Sequence, residues 1–293
     1  MELNLDIVTT PLRPAATVVL LRDAPAGLEV FLMQRHSRSD VLGGAFVFPG
    51  GKVDAADDEL DMAAHLDQPL ALLHAGLNEA GISPRTAGGL YVAAMREVFE
   101  ESGVLFAQTA GGQAVDCARA AALLRAGQCF NALLSEQALR LQASHLVPWT
   151  RWITPTSPSV TNKRFDTRFF VSTVPASQVA VHDDIETTAS LWLSPRLALA
   201  QYWAGQIELA PPQIMSLAQL SRHASVASVL REARSRLPPL IQPEPFDEAG
   251  GRVICYPGDA RHSVRAPAMP GPTRLYYRNR RFEPDGGFDS LFG

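Results

Sequence analysis

Strand-like and helix-like stretches alternate along these 293 residues, an order that predicts an α/β chain of the α+β kind with a mixed β-sheet. Three observations carry the prediction. β-Branched and apolar residues fill 17–21 and return over 28–34, with the turn-like Asp23-Ala24-Pro25-Ala26-Gly27 between them, the pattern of a β-hairpin. Around Arg96-Glu97-Val98-Phe99-Glu100-Glu101-Ser102-Gly103 the period becomes helical, with Met95, Val98 and Phe99 on an apolar face. Strand-like runs reappear at 149–154 and 167–174, and β segments rich in proline and glycine close the chain.

In chain order, 13–22 and 28–34 form the hairpin. Arg35, His36 and Arg38 follow on a polar segment leading to Gly43-Gly44, either within reach of phosphates or as plain loop charges. A short strand over 45–48 delivers Pro49-Gly50-Gly51, read as a turn whose glycines admit a close backbone approach. Apolar residues at helical spacing over 60–77 predict two short helices broken at Pro69 and ended by Gly81, too apolar for a disordered linker. This segment either caps a site beside the acidic helix or shields a sheet edge. Gly103 ends the acidic helix in the left-handed conformation.

Helices are predicted over 118–125 and 133–143, and strands over 149–154, stopped by Pro155, and 167–174. A period of two in Arg164-Phe165-Asp166-Thr167-Arg168 puts Arg164, Asp166 and Arg168 on one face, either solvated or touching substrate. Asp183, Asp184 and Glu186 precede Leu191-Trp192-Leu193. Helices follow at 197–205 and 213–236, with Pro211-Pro212 between them and Pro238-Pro239 after the second. Runs at 252–256 and 274–278 form a C-terminal β appendage. The organisation expected is one domain over 1–237, with a helical insertion at about 58–88, and an extension over 238–293 packed on it.

Net charge of −4 and a pI near 6.0, with no basic run before the scattered arginines of the tail, exclude a nucleic-acid polymer as the expected partner. Three widely spaced cysteines, Cys117, Cys129 and Cys255, fit a reducing compartment and neither a disulfide framework nor a zinc site. An acidic N-terminus without a basic and apolar leader, and no apolar run of membrane-spanning length, predict a cytoplasmic protein that does not enter a membrane. A homodimer is the expected assembly, as the commonest symmetry.

Three carboxylates crowd one side of the acidic helix. Like charges at these spacings repel, so a positive partner belongs among them, and carboxylate oxygens without neighbouring Cys or His suit Mg²⁺ or Mn²⁺. The residues 96–104 also resemble the second half of the box of the Nudix hydrolase family, Arg-Glu-apolar-any-Glu-Glu-any-Gly-apolar, at every fixed position. Phe48-Pro49-Gly50-Gly51-Lys52-Val53-Asp54 looks like the loop that opens the box, and Asp57 stands where the family has its first Glu. Between Asp57 and Arg96 lie 38 residues where the family pattern has seven, so the box is interrupted by an insertion.

A subgroup typified by a peroxisomal coenzyme A diphosphatase carries such an insertion. Its other marks match Trp152-Ile153-Thr154-Pro155, the run from Arg164 to Phe170, and Ala210-Pro211-Pro212-Gln213 here. The signature of another coenzyme A-hydrolysing branch is missing, with Asp40 where its Arg belongs. The resemblance implies a Nudix-type α/β/α sandwich. It also implies a divalent-metal-dependent hydrolase that cleaves the pyrophosphate of a nucleoside diphosphate linked to another moiety. Coenzyme A or acyl-coenzyme A is favoured, giving 3′,5′-ADP and (acyl-)4′-phosphopantetheine. ADP-ribose or a nucleotide sugar as substrate, and a non-catalytic nucleotide-sensing module, are the alternatives.

The roles it implies are Glu97 and Glu101 as metal ligands, Glu100 as ligand or water-activating base, and Arg96 as the residue that offsets and orients the carboxylates. Gly50 and Gly51 shape the loop, and Arg35, Arg38 and Arg164 are candidates to bind substrate. Glu186 is a candidate to assist the metal or the water, or belongs to a plain acidic loop.

Overall fold

A computed structural model describes residues 3–39, 42–183, 186–248 and 251–293. Asp40 and Asp184, both singled out in the sequence, lie outside these. Strands β1 (Arg13–Ala24) and β2 (Gly27–Arg35) form the expected hairpin, in register from Leu21↔Val30 to Ala24↔Gly27. Strand β3 (Phe46–Val47) then pairs with the far end of β2. The glycine pair that follows is not a turn. β4 (Gly50–Lys52) pairs antiparallel with β1, Ala15↔Lys52 to Thr17↔Gly50, because β1 outruns its hairpin partner and leaves its first half open. A Cβ on Gly50 would stand 2.6 Å from Thr17 Cα, so only glycine permits this pairing.

α1 (Ala55–Glu59) carries Asp57 at the edge of the insertion, and the insertion itself holds the two short helices expected on either side of Pro69, α2 (Met62–His65) and α3 (Leu70–Leu77). Helix α3 stops at the left-handed Asn78, three residues before the predicted Gly81, since Asn tolerates that conformation nearly as well as Gly. Helix α4 (Pro84–Ser102) begins inside the segment read as insertion. Ser83 caps it by accepting from the Thr86 N–H, Pro84 fills its first position, and Gly103, at φ 70°, closes it as expected. Gly88 and Gly89 each cost a helix roughly 1 kcal/mol relative to Ala. A Cβ on Gly88 would lie 2.6 Å from Leu70 Cδ2, and one on Gly89 would collide with the Asp58 carboxylate. The pair therefore lets the insertion dock on the first half of α4.

Next come β5 (Ala107–Thr109), α5 (Cys117–Arg125), α6 (Phe130–Glu136) and β6 (Leu139–Leu141). The helix predicted over 133–143 is thus half wrong: Ala138, at φ 48°, turns the chain and β6 pairs with β5. Strands β7 (Val147–Ile153), β8 (Phe165–Thr173) and β9 (Thr187–Leu193) return to the main sheet. Helix α7 (Pro195–Trp203) precedes α8 (Pro211–Leu220) and α9 (Val226–Ser235), where one helix over 213–236 was expected. Ser225 restarts the helix by accepting from the Ser228 N–H, and Pro211 opens α8 rather than merely separating helices. After β10 (Leu240–Ile241), strands β11 (Glu244–Glu248), β12 (Gly251–Cys255), β13 (Arg274–Arg278) and β14 (Arg281–Glu283) make an antiparallel C-terminal sheet.

The main sheet runs β10-β7-β8-β1-β2-β3, with β4 on β1 and β9 on β2. β1 and β8 are parallel while β1 and β2 are antiparallel, so the sheet is mixed, as predicted. Both faces are covered. Ala16, Val18, Leu20, Phe31 and Met33 pack against α4, whereas Val19, Leu21, Val30 and Leu32 pack against Ile214, Leu217 and Val229 of α8 and α9. Burial on both sides explains why 17–21 reads as an unbroken apolar run. Ile254, Tyr256, Leu275 and Phe282 of the C-terminal sheet join the second layer. The result is an α/β/α sandwich in which α4, the insertion, α5 and α6 share one layer. Among the described residues no helix is long and apolar enough to cross a membrane.

Candidate active site

The centre of the site is a guanidinium. Arg96 Nε and Nη2 donate to Asp57 Oδ1 and Oδ2 at 2.8 and 2.9 Å, Nη1 donates to Glu97 Oε1 at 2.9 Å and Glu100 Oε2 at 3.0 Å, and Nη2 also reaches the Lys52 carbonyl. Asp57 is 1% exposed and Arg96 8%. Burial opposes the guanidinium charge, but the Asp57 hydrogen bonds and the charges of Glu97, Asp57 and Glu100 outweigh it and hold Arg96 ionised. Asp57 is a methylene shorter than the usual Glu, yet it grips Arg96 with both oxygens. Helix α1 carries it inward, and Asp57 Oδ2 also accepts from the Asp54 N–H at the helix start.

The three glutamates share one face of α4, as their spacing predicts, spread over two adjacent stripes. Arg96 and Glu100, four apart, form one stripe; Glu97 and Glu101 form the next, 100° round the helix. Glu101 Oε2 accepts the Gly50 N–H at 2.8 Å, and a Cβ on Gly51 would lie 2.6 Å from both Glu97 oxygens. β4 thus lies directly over these two carboxylates, and Gly51 must be glycine for it to do so.

Burial raises the Glu97 carboxyl to about 7; Arg96 pulls it down, while Glu100 and Glu186 push it up. Glu101, 4% exposed, is raised to about 8, again chiefly by burial, with the Gly50 N–H and Arg35 opposing and Glu97 and Glu186 adding. Glu100 is raised too, by burial against Arg96. Negative charge is in excess here, and Arg96 alone does not balance it.

Beside these groups opens a polar cleft of about 710 Å³, lined by Arg96, Glu100, Asp57, Glu186, Arg125 and Asn131 among others. One wall comes from α5 and α6, tied to α1 by Asn131 Nδ2 donating to the Ala56 carbonyl at 2.7 Å. No sequence signal marked that wall: its residues show ordinary helical spacing, and their proximity to α1 arises only on folding. Glu186 reaches the site, its carbonyl accepting the His36 N–H, which draws the 181–187 segment against the end of β2. Arg35 lies near Glu101 and donates to Ser39 Oγ.

Arg38 is exposed and does not line the cleft. Nor does Arg164, which donates to the Thr154 carbonyl at 3.2 Å. Asp166 and Arg168 do share surroundings, as the period of two predicted, but in a buried ion-pair network. Arg168 Nε donates to Glu79 Oε1 at 2.8 Å, and Arg151 makes a two-point bond to Asp166 and contacts Glu79. A solvated face is excluded there; Glu79, 89 residues away, supplies the missing partner.

Among the described residues, no three His, Cys, Asp or Glu side chains are grouped as they stand around one cation position. The donors nevertheless fit a hard divalent ion in kind. They are all carboxylate oxygens, and Glu186 pushes up both Glu97 and Glu101, a repulsion that a cation would relieve.

A family described as the NUDT19 Nudix domain matches residues 86–220, from inside α4 to the end of α8. A crystallised NUDIX hydrolase from Alicyclobacillus acidocaldarius superposes with a TM-score of 0.64 at 28% identity, covering 79% of this chain and 99% of that one. The chain resembles the Nudix hydrolases in sequence and in fold. Among curated Nudix relatives, acyl-coenzyme A diphosphatase NUDT19 of Xenopus laevis is 26% identical over 68% of this chain and 61% of its own length. The human protein of that name is 28% identical over 84% and 76%. The chain therefore spans less than two thirds of the Xenopus protein. Among the Nudix hydrolases it is similar to NUDT19, and the long interruption of its Nudix-like box is the helical insertion docked on Gly88 and Gly89.

Proposed function

We propose that this chain is a Nudix hydrolase that cleaves the pyrophosphate of coenzyme A or acyl-coenzyme A, giving 3′,5′-ADP and (acyl-)4′-phosphopantetheine, with Mg²⁺ or Mn²⁺ held by Glu97 and Glu101. The observation that supports it most is the excess of buried carboxylate around Arg96 at the mouth of a cleft large enough for a nucleotide. The substrate choice draws on the relatives named acyl-coenzyme A diphosphatase.

A divalent ion bound there supplies charge neutralisation at the diphosphate and a more acidic water. The chain's own residues do the rest. Arg96, fixed by Asp57, holds Glu97 and Glu100 in place against their repulsion. Glu100, with one oxygen on Arg96, faces the cleft and takes the proton of the attacking water at its other oxygen, or acts as a further ligand. Glu186 is placed to help either the metal or that water. The Gly50-Gly51 backbone covers Glu97 and Glu101, and Arg35, beside Glu101 though not among the residues lining the cleft, is the candidate to meet a substrate phosphate.

The test is product analysis on a panel of coenzyme A, acetyl-coenzyme A, ADP-ribose and UDP-glucose, with Mg²⁺, with Mn²⁺ and with chelator. The expected result is metal-dependent release of 3′,5′-ADP from the coenzyme A substrates, well above turnover of the other two. Preference for ADP-ribose or the nucleotide sugar would reassign the substrate, and no cleavage of any would favour a nucleotide-sensing module.

A further inference from the structure

A second cavity, of about 180 Å³, lies on the face of the sheet turned away from α4. Trp152, Phe165, Phe169 and Pro211 give it aromatic and apolar walls, and none of its lining residues is charged. Two of them carry a buried oxygen with no hydrogen-bond partner among the described residues: Gln213 Oε1 and Ser159 Oγ. Gln213 is 7% exposed and Ser159 0%. A buried acceptor left unpaired destabilises the fold, so an unmet pair in one cavity calls for a partner. The neighbouring stretches 152–155 and 165–169 meet there with the start of α8 at 210–213.

We propose that this cavity is a substrate subsite for a neutral, slim or flat apolar group bearing N–H donors. Gln213 Oε1 can only accept, so the ligand atom facing it must donate. The uncharged walls reject a phosphate and welcome an apolar body. Thr17, which lines the cavity, is the register partner of Gly50, whose N–H holds Glu101, so the cavity and the carboxylates flank the same β1–β4 pair. Resting on the proposed coenzyme A reading, the group is the part of the substrate remote from the pyrophosphate. Two parts of that molecule share the chemistry: the purine with its exocyclic amine, and the pantetheine arm with its amide N–H groups.

Gln213→Leu and Ser159→Ala in the full chain test this, read by steady-state kinetics on coenzyme A, by thermal unfolding, and by saturation-transfer NMR with adenosine and with pantetheine as separate probes. Gln213→Leu is expected to raise KM by about five- to tenfold with kcat within about twofold, consistent with one lost hydrogen bond. Tm should hold or rise, because the variant removes an unpaired acceptor; a purely structural role for Gln213 would lower it. One probe should bind wild type and lose its signal in Gln213→Leu, and which probe does so identifies the part bound. The inference is overturned if neither probe binds wild type, or if both variants keep the wild-type KM and probe signals. Should wild type fail to cleave coenzyme A while a probe binds and depends on Gln213, the coenzyme A reading fails and the subsite stands.

Discussion

Two guanidinium–carboxylate clusters among the described residues differ in their charge balance. In the network of Arg151, Arg168, Glu79 and Asp166, two cations meet two anions and each acid is held by both arginines. Around Arg96, one cation meets Asp57, Glu97 and Glu100, with Glu101 and Glu186 close behind. The balanced set joins the insertion to β7 and β8 and has no capacity left for a ligand. The unbalanced set stores negative charge beside a cleft. The same residue types thus serve cohesion in one place and a bound cation in the other, and the difference lies in the count of charges brought together.

The largest expected effect falls on the unbalanced set. Glu97→Gln, Glu101→Gln or Glu100→Gln should lower turnover about 10²–10⁴-fold while the protein stays folded, as read by steady-state kinetics alongside circular dichroism. Near-normal hydrolysis in all three would erase the contrast. In the balanced set Arg168→Met strands Glu79 without its two-point partner. It should cost about 3–5 kcal/mol in urea unfolding, with kcat of the folded enzyme changed only a few-fold. A large loss of kcat at full stability would show that this network also acts in catalysis.

Smaller is the effect of Asp57→Glu, which restores the usual family residue. Helix α1 already brings Asp57 to 2.8 Å from Arg96, so the longer side chain overfills a 1%-exposed position and should cost about 1–3 kcal/mol, read by chemical denaturation.

Smallest is a pH effect at a third pair, in the C-terminal sheet. Burial alone would raise Asp259, but hydrogen bonds from Arg274, the Arg261 N–H and Thr273 outweigh it and hold the carboxyl below its ordinary 3.8. A folded-state value below the unfolded one means the contribution is complete above the unfolded value and is lost as pH falls through the folded one. The Tm gap between wild type and Asp259→Asn should therefore stay constant from about pH 7 to 5 and narrow below about pH 4.

What the sequence made readable follows from local physics. The hairpin, β7, β8 and the second half of α4 have periods and end signals within their own residues, and the acidic motif could be assigned to a helix closed by Gly103. What escaped depends on partners far away. β4 looked like a turn because Gly50-Gly51 is locally permissive, and only the open half of β1 makes it a strand. Leu139–Leu141 read as helix until β5 claimed it. The start of α4 was hidden because Gly88 and Gly89 weaken a helical reading, and their purpose, close docking of Asp58 and Leu70, exists only in three dimensions. In the site, the stripe spacing of Arg96/Glu100 and Glu97/Glu101 was present in the sequence, but not that β4 would lie over one stripe and leave the other facing the cleft.

Calorimetric titration of Mn²⁺ into the metal-free protein, compared with the Glu97→Gln/Glu101→Gln double variant, is the most direct measurement of whether surplus charge beside Arg96 holds a cation. Saturable binding to wild type that disappears in the double variant, with Arg168→Met binding as wild type does, is the predicted result. Equal affinity in wild type and double variant, or no binding to either, would contradict it.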